Sequence, residues 1–72
     1  MAQITELIHT NDDIQTRTNT VADYCSNNEY FQIRTYSQND IERENGAKQN
    51  IQINKNIAKD LIELLNNFIK DN

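Results

Sequence analysis

The sequence predicts an α+β domain in which a four-stranded antiparallel sheet is followed by one C-terminal amphipathic helix, in the order ββββα. Residues 30–37 and 48–54 alternate apolar and polar side chains, which is the period of a strand with one buried face. After Asn54 the apolar spacing changes to that of a helix. The chain contains no proline, so no predicted strand is disqualified on that ground.

The length predicts a single domain spanning residues 1–72. A domain of this size buries only about 60% of its unfolded surface and usually needs disulfides, a metal or oligomerisation. Cys25 is the only cysteine and His9 the only histidine, so the chain supplies neither an internal disulfide nor four zinc ligands. We therefore expect a homodimer with no metal and no cofactor.

The first half of the chain predicts two strands joined by polar turns. Residues 3–10 are predicted as the first strand, and residues 14–25, rich in threonine and other β-branched types, as the second. Residues 11–13 are asparagine and aspartate, which accept left-handed backbone and bond their own main chain, so they predict a turn. Residues 26–29 predict the next turn.

The third predicted strand, residues 30–37, is the most informative stretch. Phe31, Ile33 and Thr35 share one face, which we expect to point to the core. The other face places two tyrosines around an arginine: Tyr30, Gln32, Arg34 and Tyr36. Because exposed aromatic rings are unfavourable in water, we expect a ligand to stack on this face.

The fourth predicted strand, residues 48–54, places Ile51 and Ile53 on one side. Its polar side carries Lys48, Asn50 and Gln52. The polar segment 38–47 precedes it and holds an Asn-Gly pair at 45–46, the strongest hairpin signal in the chain. Because this segment exceeds a tight hairpin, two alternatives stay open: a ribbon extending past the core, or a mobile loop.

The segment from Asn54 to residue 72 predicts a helix with Asn54 as its N-cap. Its apolar side chains project within an arc of roughly 160° at about 100° per residue. One helix can cover only one face of the sheet, that of Phe31 and Ile33, so the opposite face should stay open to water. The arc is wider than this contact needs. Its surplus is predicted to form the dimer interface with Leu61, Leu64, Leu65 and Phe68.

Catalysis is not expected. No serine or cysteine lies beside His9 in the sequence, and nothing indicates a base-orienting carboxylate, so the roles of a catalytic triad are not supplied. No apolar run is long enough to span a bilayer, and the N-terminus lacks a signal-peptide pattern. We therefore expect a cytoplasmic protein that does not contact membranes.

The predicted open face has the side chains of a site for single-stranded nucleic acid. Aromatic rings stack on unpaired bases, arginine pairs with phosphate, and amides bond bases or backbone. The predicted contacts are Arg17, Tyr30, Gln32, Arg34, Tyr36, Lys48 and Asn50. In the alternative interpretation the tyrosines only shield the sheet, and Arg34 is paired with an acid. The net charge of −4 argues against indiscriminate DNA binding.

The order of these motifs resembles the positive cofactor four family of single-stranded DNA-binding proteins and transcriptional coactivators, in its bacterial or phage branch. The matching stretches are residues 33–37 (IRTYS), Lys48, and residues 51–54 (IQIN) leading into the helix. The resemblance implies a homodimer of curved antiparallel sheets whose helices pair across the dimer. It also implies that single-stranded DNA, or unwound duplex, lies along the open faces with little sequence preference. The leading hypothesis is a dimeric single-stranded DNA-binding protein acting in replication, recombination or transcription, and binding of RNA stays open.

Three departures from the family pattern predict weaker affinity, or greater reliance on stacking. Gln49 stands where the family often has a second basic residue beside the lysine, and Ala58 where the helix often presents a large aromatic. Residues 26–29 read SNNE, where the eukaryotic members are basic.

A second hypothesis is an acidic protein-interaction module. In this interpretation residues 38–44 and the negative net charge recruit a basic replication or transcription protein, such as a polymerase or recombinase subunit.

Overall fold

The computed structural model describes residues 1–70. Four strands precede one helix, as the sequence predicts: β1 (Ala2–Ile4), β2 (Ala22–Ser26), β3 (Phe31–Thr35), β4 (Gln49–Ile53) and α1 (Lys55–Lys70). The predicted continuation of the helix through residues 71 and 72 lies outside the described residues.

The sheet is mixed, so the prediction of a fully antiparallel sheet is wrong. Its strand order is β1-β4-β3-β2, in which β2, β3 and β4 pair antiparallel while β1 runs parallel to β4. Side-chain alternation is the same for either strand direction, so the sequence pattern could not reveal the parallel pair. β1 and β2 lie at opposite edges, and a connection across the sheet must join them.

The first two strands are much shorter than predicted, because residues 5–21 have no regular secondary structure. Nearly all of this segment is exposed. Its threonine-rich composition favours strands only where a neighbouring strand supplies hydrogen bonds and packing. Arg17, predicted on the second strand, therefore lies in this irregular segment and not on the sheet.

The sheet has one polar and one apolar face, as predicted. On the polar face, the register of β2, β3 and β4 aligns Asp23 with Arg34 and Asn50, and Cys25 with Gln32 and Gln52. The opposite face is apolar and carries Tyr24, Phe31, Ile33, Ile51 and Ile53. Tyr24 and Phe31 stack there with ring centroids 5.8 Å apart.

Helix α1 begins as predicted, with Asn54 as its N-cap. The Asn54 Oδ1 accepts a hydrogen bond from the backbone N–H of Ile57 at 2.9 Å, which satisfies one of the free donors of the first turn. The Ile57 side chain is buried beside the sheet end, where Ile53 is buried as well. This first turn fixes the helix to β4.

Beyond its first two turns α1 does not cover the apolar face, so that prediction is wrong. Leu61 is half-buried, but the apolar residues after it are exposed: Ile62, Leu64, Leu65, Phe68 and Ile69. Within residues 1–70 the buried apolar side chains are Tyr36, Ile53 and Ile57. The described chain therefore holds a very small core and leaves apolar surface on both the helix and the sheet.

A compact loop, residues 36–48, joins β3 to β4, so the ribbon alternative is wrong. The buried carboxylate of Asp40 accepts hydrogen bonds from the backbone N–H groups of Glu44 at 3.0 Å and Asn45 at 3.2 Å. Three residues of the loop have a positive φ: Asn39, Arg43 and Gly46. Among residues 1–70, no helix is long and apolar enough to cross a membrane.

Candidate nucleic-acid interface

Asp23 is the centre of a four-residue cluster on the polar face. Arg34 donates two hydrogen bonds to the Asp23 carboxylate, from Nε to Oδ1 at 2.9 Å and from Nη2 to Oδ2 at 2.8 Å. The Tyr36 hydroxyl donates to Oδ2 at 2.6 Å, and Arg43 Nη1 donates to the same oxygen at 3.1 Å. We call these four residues, Asp23, Arg34, Tyr36 and Arg43, the Asp23 cluster.

Three different elements build the Asp23 cluster. Asp23 and Arg34 are direct cross-strand partners on β2 and β3, so their side chains meet on one face without distortion. Tyr36 follows the end of β3 by one residue. Arg43 lies in the 36–48 loop, outside the sheet, and its side chain contacts the Asp23 carboxylate.

The hydrogen bonds within the Asp23 cluster shift the pKa values of its members. The hydrogen bonds from Arg34, and then from Tyr36, hold the pKa of Asp23 far below its ordinary value, and Arg43 adds to this. The same carboxylate raises the pKa of Arg34. It also raises the pKa of the Tyr36 phenol, because the phenol donates its proton to an anion and is partly buried. Asp23 therefore stays ionised and Tyr36 stays protonated at neutral pH.

Two guanidinium groups share one carboxylate, which leaves the Asp23 cluster with one net positive charge. Both arginine side chains remain accessible, with 41% exposure at Arg34 and 53% at Arg43, whereas Asp23 is only 16% exposed. A molecule approaching the polar face meets the cations before the anion. The net charge of these four residues is thus opposite in sign to that of the whole chain.

Amides continue the polar face beside the cluster. Gln52 Nε2 donates to Gln32 Oε1 at 3.0 Å, and Gln32 Nε2 reaches the sulfur of the exposed Cys25 at 3.6 Å. Asn50 is half-buried, and its Oδ1 lacks a hydrogen-bond donor within the described residues. This row offers hydrogen-bonding groups without adding charge.

The remaining predicted contacts are scattered. Tyr30 is half-buried at the end of the sheet, where it borders one depression with Gln32 and Gln52 and a second with Phe31 and Ala58. Lys48 is exposed just before β4, with its backbone N–H bonded to the Thr35 carbonyl at 2.8 Å. The structure thus brings Arg34, Tyr36, Gln32 and Asn50 together on the polar face, with Tyr30 and Lys48 at its ends. Arg17 is not on the sheet.

Tyr36 does not offer an exposed ring, so its predicted exposure is wrong. The side chain is among the most buried in the described chain, with 7% exposure, and its hydroxyl is bonded to Asp23. Arg34 is paired with an acid, as the alternative interpretation held. Tyr36 stays on the predicted face, since its hydroxyl bonds Asp23 there, and it is buried at the start of the 36–48 loop that brings Arg43 to the same carboxylate.

Two residues of the cluster were not predicted as site residues. Asp23 lies two residues before Cys25 in β2, so the period of a strand places both side chains on one face of the sheet. The sequence alone does not show which residue of β3 lies opposite Asp23, so the contact with Arg34 could not be predicted. Arg43 carries no signal in sequence, since a loop side chain has no period. Among the described residues, no group of histidine, cysteine and carboxylate side chains is placed to hold a metal ion.

Comparisons of the chain with protein-family models, curated proteins and solved structures find no match. The resemblance to the positive cofactor four family therefore stays a prediction made from the residues of β3, β4 and α1.

Proposed function

We propose that this chain is a single-stranded DNA-binding protein with little sequence specificity, and that it binds through the polar face of its sheet. The observation that carries the proposal is the pair of accessible guanidiniums, Arg34 and Arg43, fixed beside a row of amides on the polar face of the sheet. The resemblance to the positive cofactor four family supports the same function and implies roles in replication, recombination or transcription.

Arg34 is the main phosphate contact in this proposal. Arginine carries five N–H donors, and the two contacts to Asp23 leave the others free for a backbone phosphate. Asp23 fixes the orientation of the guanidinium, so less side-chain entropy is lost on binding. Lys48 and Arg17 add phosphate contacts from outside the cluster, and Gln32 and Asn50 bond bases or backbone.

The two tyrosines have different roles. Tyr30 is half-buried at the sheet end, where one ring face can stack on an unpaired base. Tyr36 is buried and holds Asp23 in place, so it positions Arg34 and does not stack. Stacking in this protein thus depends on Tyr30 more than the sequence predicts.

We further propose that the protein acts as a homodimer. Leu64, Leu65 and Phe68 are exposed on the apolar side of α1, and Leu61 is half-buried. A single chain with so small a core is marginally stable, and exposed apolar surface of this extent is typical of an interface. Pairing of two α1 helices would bury these residues and place two polar faces on one particle.

We also propose that the protein is cytoplasmic, is not an enzyme, and needs no cofactor.

An acidic protein-interaction module is the second candidate function, favoured by the net charge of −4. The loop contributes less to it than the sequence predicts, because the Asp40 carboxylate turns inward to bond the backbone. Glu42 and Glu44 are exposed in the same loop.

Binding of labelled oligo-dT, measured by fluorescence anisotropy over a range of salt, tests the proposal. Each neutralised phosphate should contribute about 0.7 to the slope of log K against log salt. Arg34→Ala should weaken binding and reduce the slope, whereas Lys59→Ala, which removes the same charge from the exposed side of α1, should not. Absence of binding at low salt would contradict the proposal.

Parallel titrations with duplex DNA and RNA at the same salt define the preferred nucleic acid. A pull-down treated with nuclease separates the two candidate functions, because a partner held by protein contacts survives the nuclease. A nuclease-resistant partner together with no oligo-dT binding would favour the interaction module.

A further inference from the structure

We propose that Arg43 is a phosphate-binding residue of the polar face, held on Asp23 in the free protein and moved to a backbone phosphate when single-stranded DNA binds. This inference rests on the proposed function. It adds a contact from a loop that the sequence pattern left without a role.

Asp23 does not depend on Arg43 for its satisfaction. Arg34 engages both carboxylate oxygens at 2.9 and 2.8 Å, and the Tyr36 hydroxyl adds a contact at 2.6 Å. The Arg43 contact is the longest of the four, at 3.1 Å, and shares Oδ2 with two other donors. If Arg43 moves away, Asp23 still has the two hydrogen bonds from Arg34 and the one from Tyr36. The loss of the Arg43 contact therefore does not leave the carboxylate without a partner.

Arg43 also has the position and freedom that the exchange requires. Its guanidinium lies beside that of Arg34 on the polar face, and its side chain is the more exposed of the two, at 53%. An ion pair with this exposure contributes little to stability, so replacing Asp23 by another anion as the partner of Arg43 costs little free energy. A phosphodiester lying on Arg34 is therefore within reach of Arg43 as well.

A phosphate can replace the carboxylate because the planar fork of a guanidinium makes charge-assisted, bidentate hydrogen bonds to the oxygens of either anion. Arg43 would exchange a crowded oxygen for an uncrowded one, and would add one neutralised phosphate to the site. The loop supplies this cation next to Arg34, since both guanidiniums contact the same oxygen, Asp23 Oδ2, so one phosphate or two successive ones can bind both. No step requires movement of β2 or β3.

The salt dependence of oligo-dT binding tests this, with Arg43→Asn and Arg43→Lys compared against Lys59→Asn. Asparagine tolerates the left-handed backbone at this position, where φ is 59°, so Arg43→Asn removes the charge without adding strain. We expect its slope to fall by about 0.7, which corresponds to about fivefold weaker binding per decade of salt below about 1 M. Arg43→Lys should retain most of the slope, and Lys59→Asn all of it.

A double-mutant cycle tests whether Asp23 holds Arg43 in the free protein and releases it on binding, which we call the storage step. Asp23→Asn loosens Arg34 in both backgrounds, but only when Arg43 is present does it also release a cation. Its effect on log K should therefore be more favourable with Arg43 present than in the Arg43→Asn background. Equal effects in the two backgrounds would overturn the storage step. If Asp23→Asn does not fold, as circular dichroism would show, the Arg43 variants still decide whether Arg43 binds phosphate. The NMR signals of the arginine side-chain N–H groups then decide the storage step, since an Arg43 signal that does not move when oligo-dT is added would overturn it.

The outcomes separate this inference from the proposed function. If the wild-type protein binds and Arg43→Asn keeps the full slope, only the role of Arg43 is overturned. If the wild-type protein does not bind oligo-dT at low salt, the proposed function fails, and the Arg43 inference fails with it.

Discussion

Tyr36 donates its hydroxyl hydrogen to Asp23 Oδ2 over 2.6 Å, although the two residues are 13 positions apart in the chain. This bond joins the start of the β3–β4 loop to the edge strand β2. It also explains why an aromatic residue expected to face solvent is buried.

The two tyrosines should respond differently to substitution. Tyr30→Ala should keep the fold and weaken oligo-dT binding about fivefold or more, because base–aromatic stacking contributes about 1–3 kcal/mol per base. Tyr36→Ala should lower the melting temperature clearly, since it removes a buried ring and a donor to Asp23. Thermal melts and anisotropy titrations on both variants test this. Unchanged binding by Tyr36→Ala would contradict the positioning role, and an unchanged melting temperature would contradict the structural role of the buried ring.

Stability should fall in acid through Asp23. Its pKa is lowered in the folded protein by Arg34 and Tyr36, so the folded state binds fewer protons than the unfolded chain. The stabilisation is complete above the ordinary aspartate pKa of about 3.9 and is lost as pH falls below it toward the folded-state value. Asp23→Asn should therefore show a shallower acid dependence of urea unfolding than wild type.

The matched control for that experiment is Asp60→Asn, which removes an exposed carboxylate from α1. It should follow the wild-type acid profile. If Asp23→Asn also follows that profile, the Asp23 cluster does not contribute to stability as the geometry indicates.

The helix start can be tested at Asn54. Asn54→Ala removes the acceptor for the Ile57 N–H and should cost about 1 kcal/mol of unfolding free energy, the usual effect of losing an N-cap. Asn54→Asp should be tolerated, because aspartate caps equally well. Asn56→Ala is the control, since Asn56 is exposed in the first turn and makes no cap. Urea unfolding at one fixed protein concentration measures all three.

The helix surface should decide the oligomeric state. Phe68→Glu places a charge among the exposed apolar residues of α1 and should convert the proposed dimer to a monomer. Lys59→Glu, on the polar side of the same helix, should leave it unchanged. Sedimentation velocity at matched concentrations measures this. A wild-type protein that sediments as a monomer would exclude the dimer directly.

Some of this molecule was predictable because the signals are local. The alternation around Ile33 and Ile51 predicts two strands and their faces, and Asn54 predicts the helix start, since each depends only on neighbouring residues. The burial of Tyr36 was not predictable, because it depends on a carboxylate from another strand.

The sequence by itself determined the order of strands and helix, the two-sided sheet and the amphipathic helix, because these follow from the spacing of side chains along the backbone. Only the tertiary structure decided that β1 runs parallel to β4, that Asp23 meets Arg34, and that the loop brings Arg43 to the same carboxylate. Those facts depend on register and on loop closure. Both are set by contacts between residues far apart in the chain, and spacing within one segment carries no record of them.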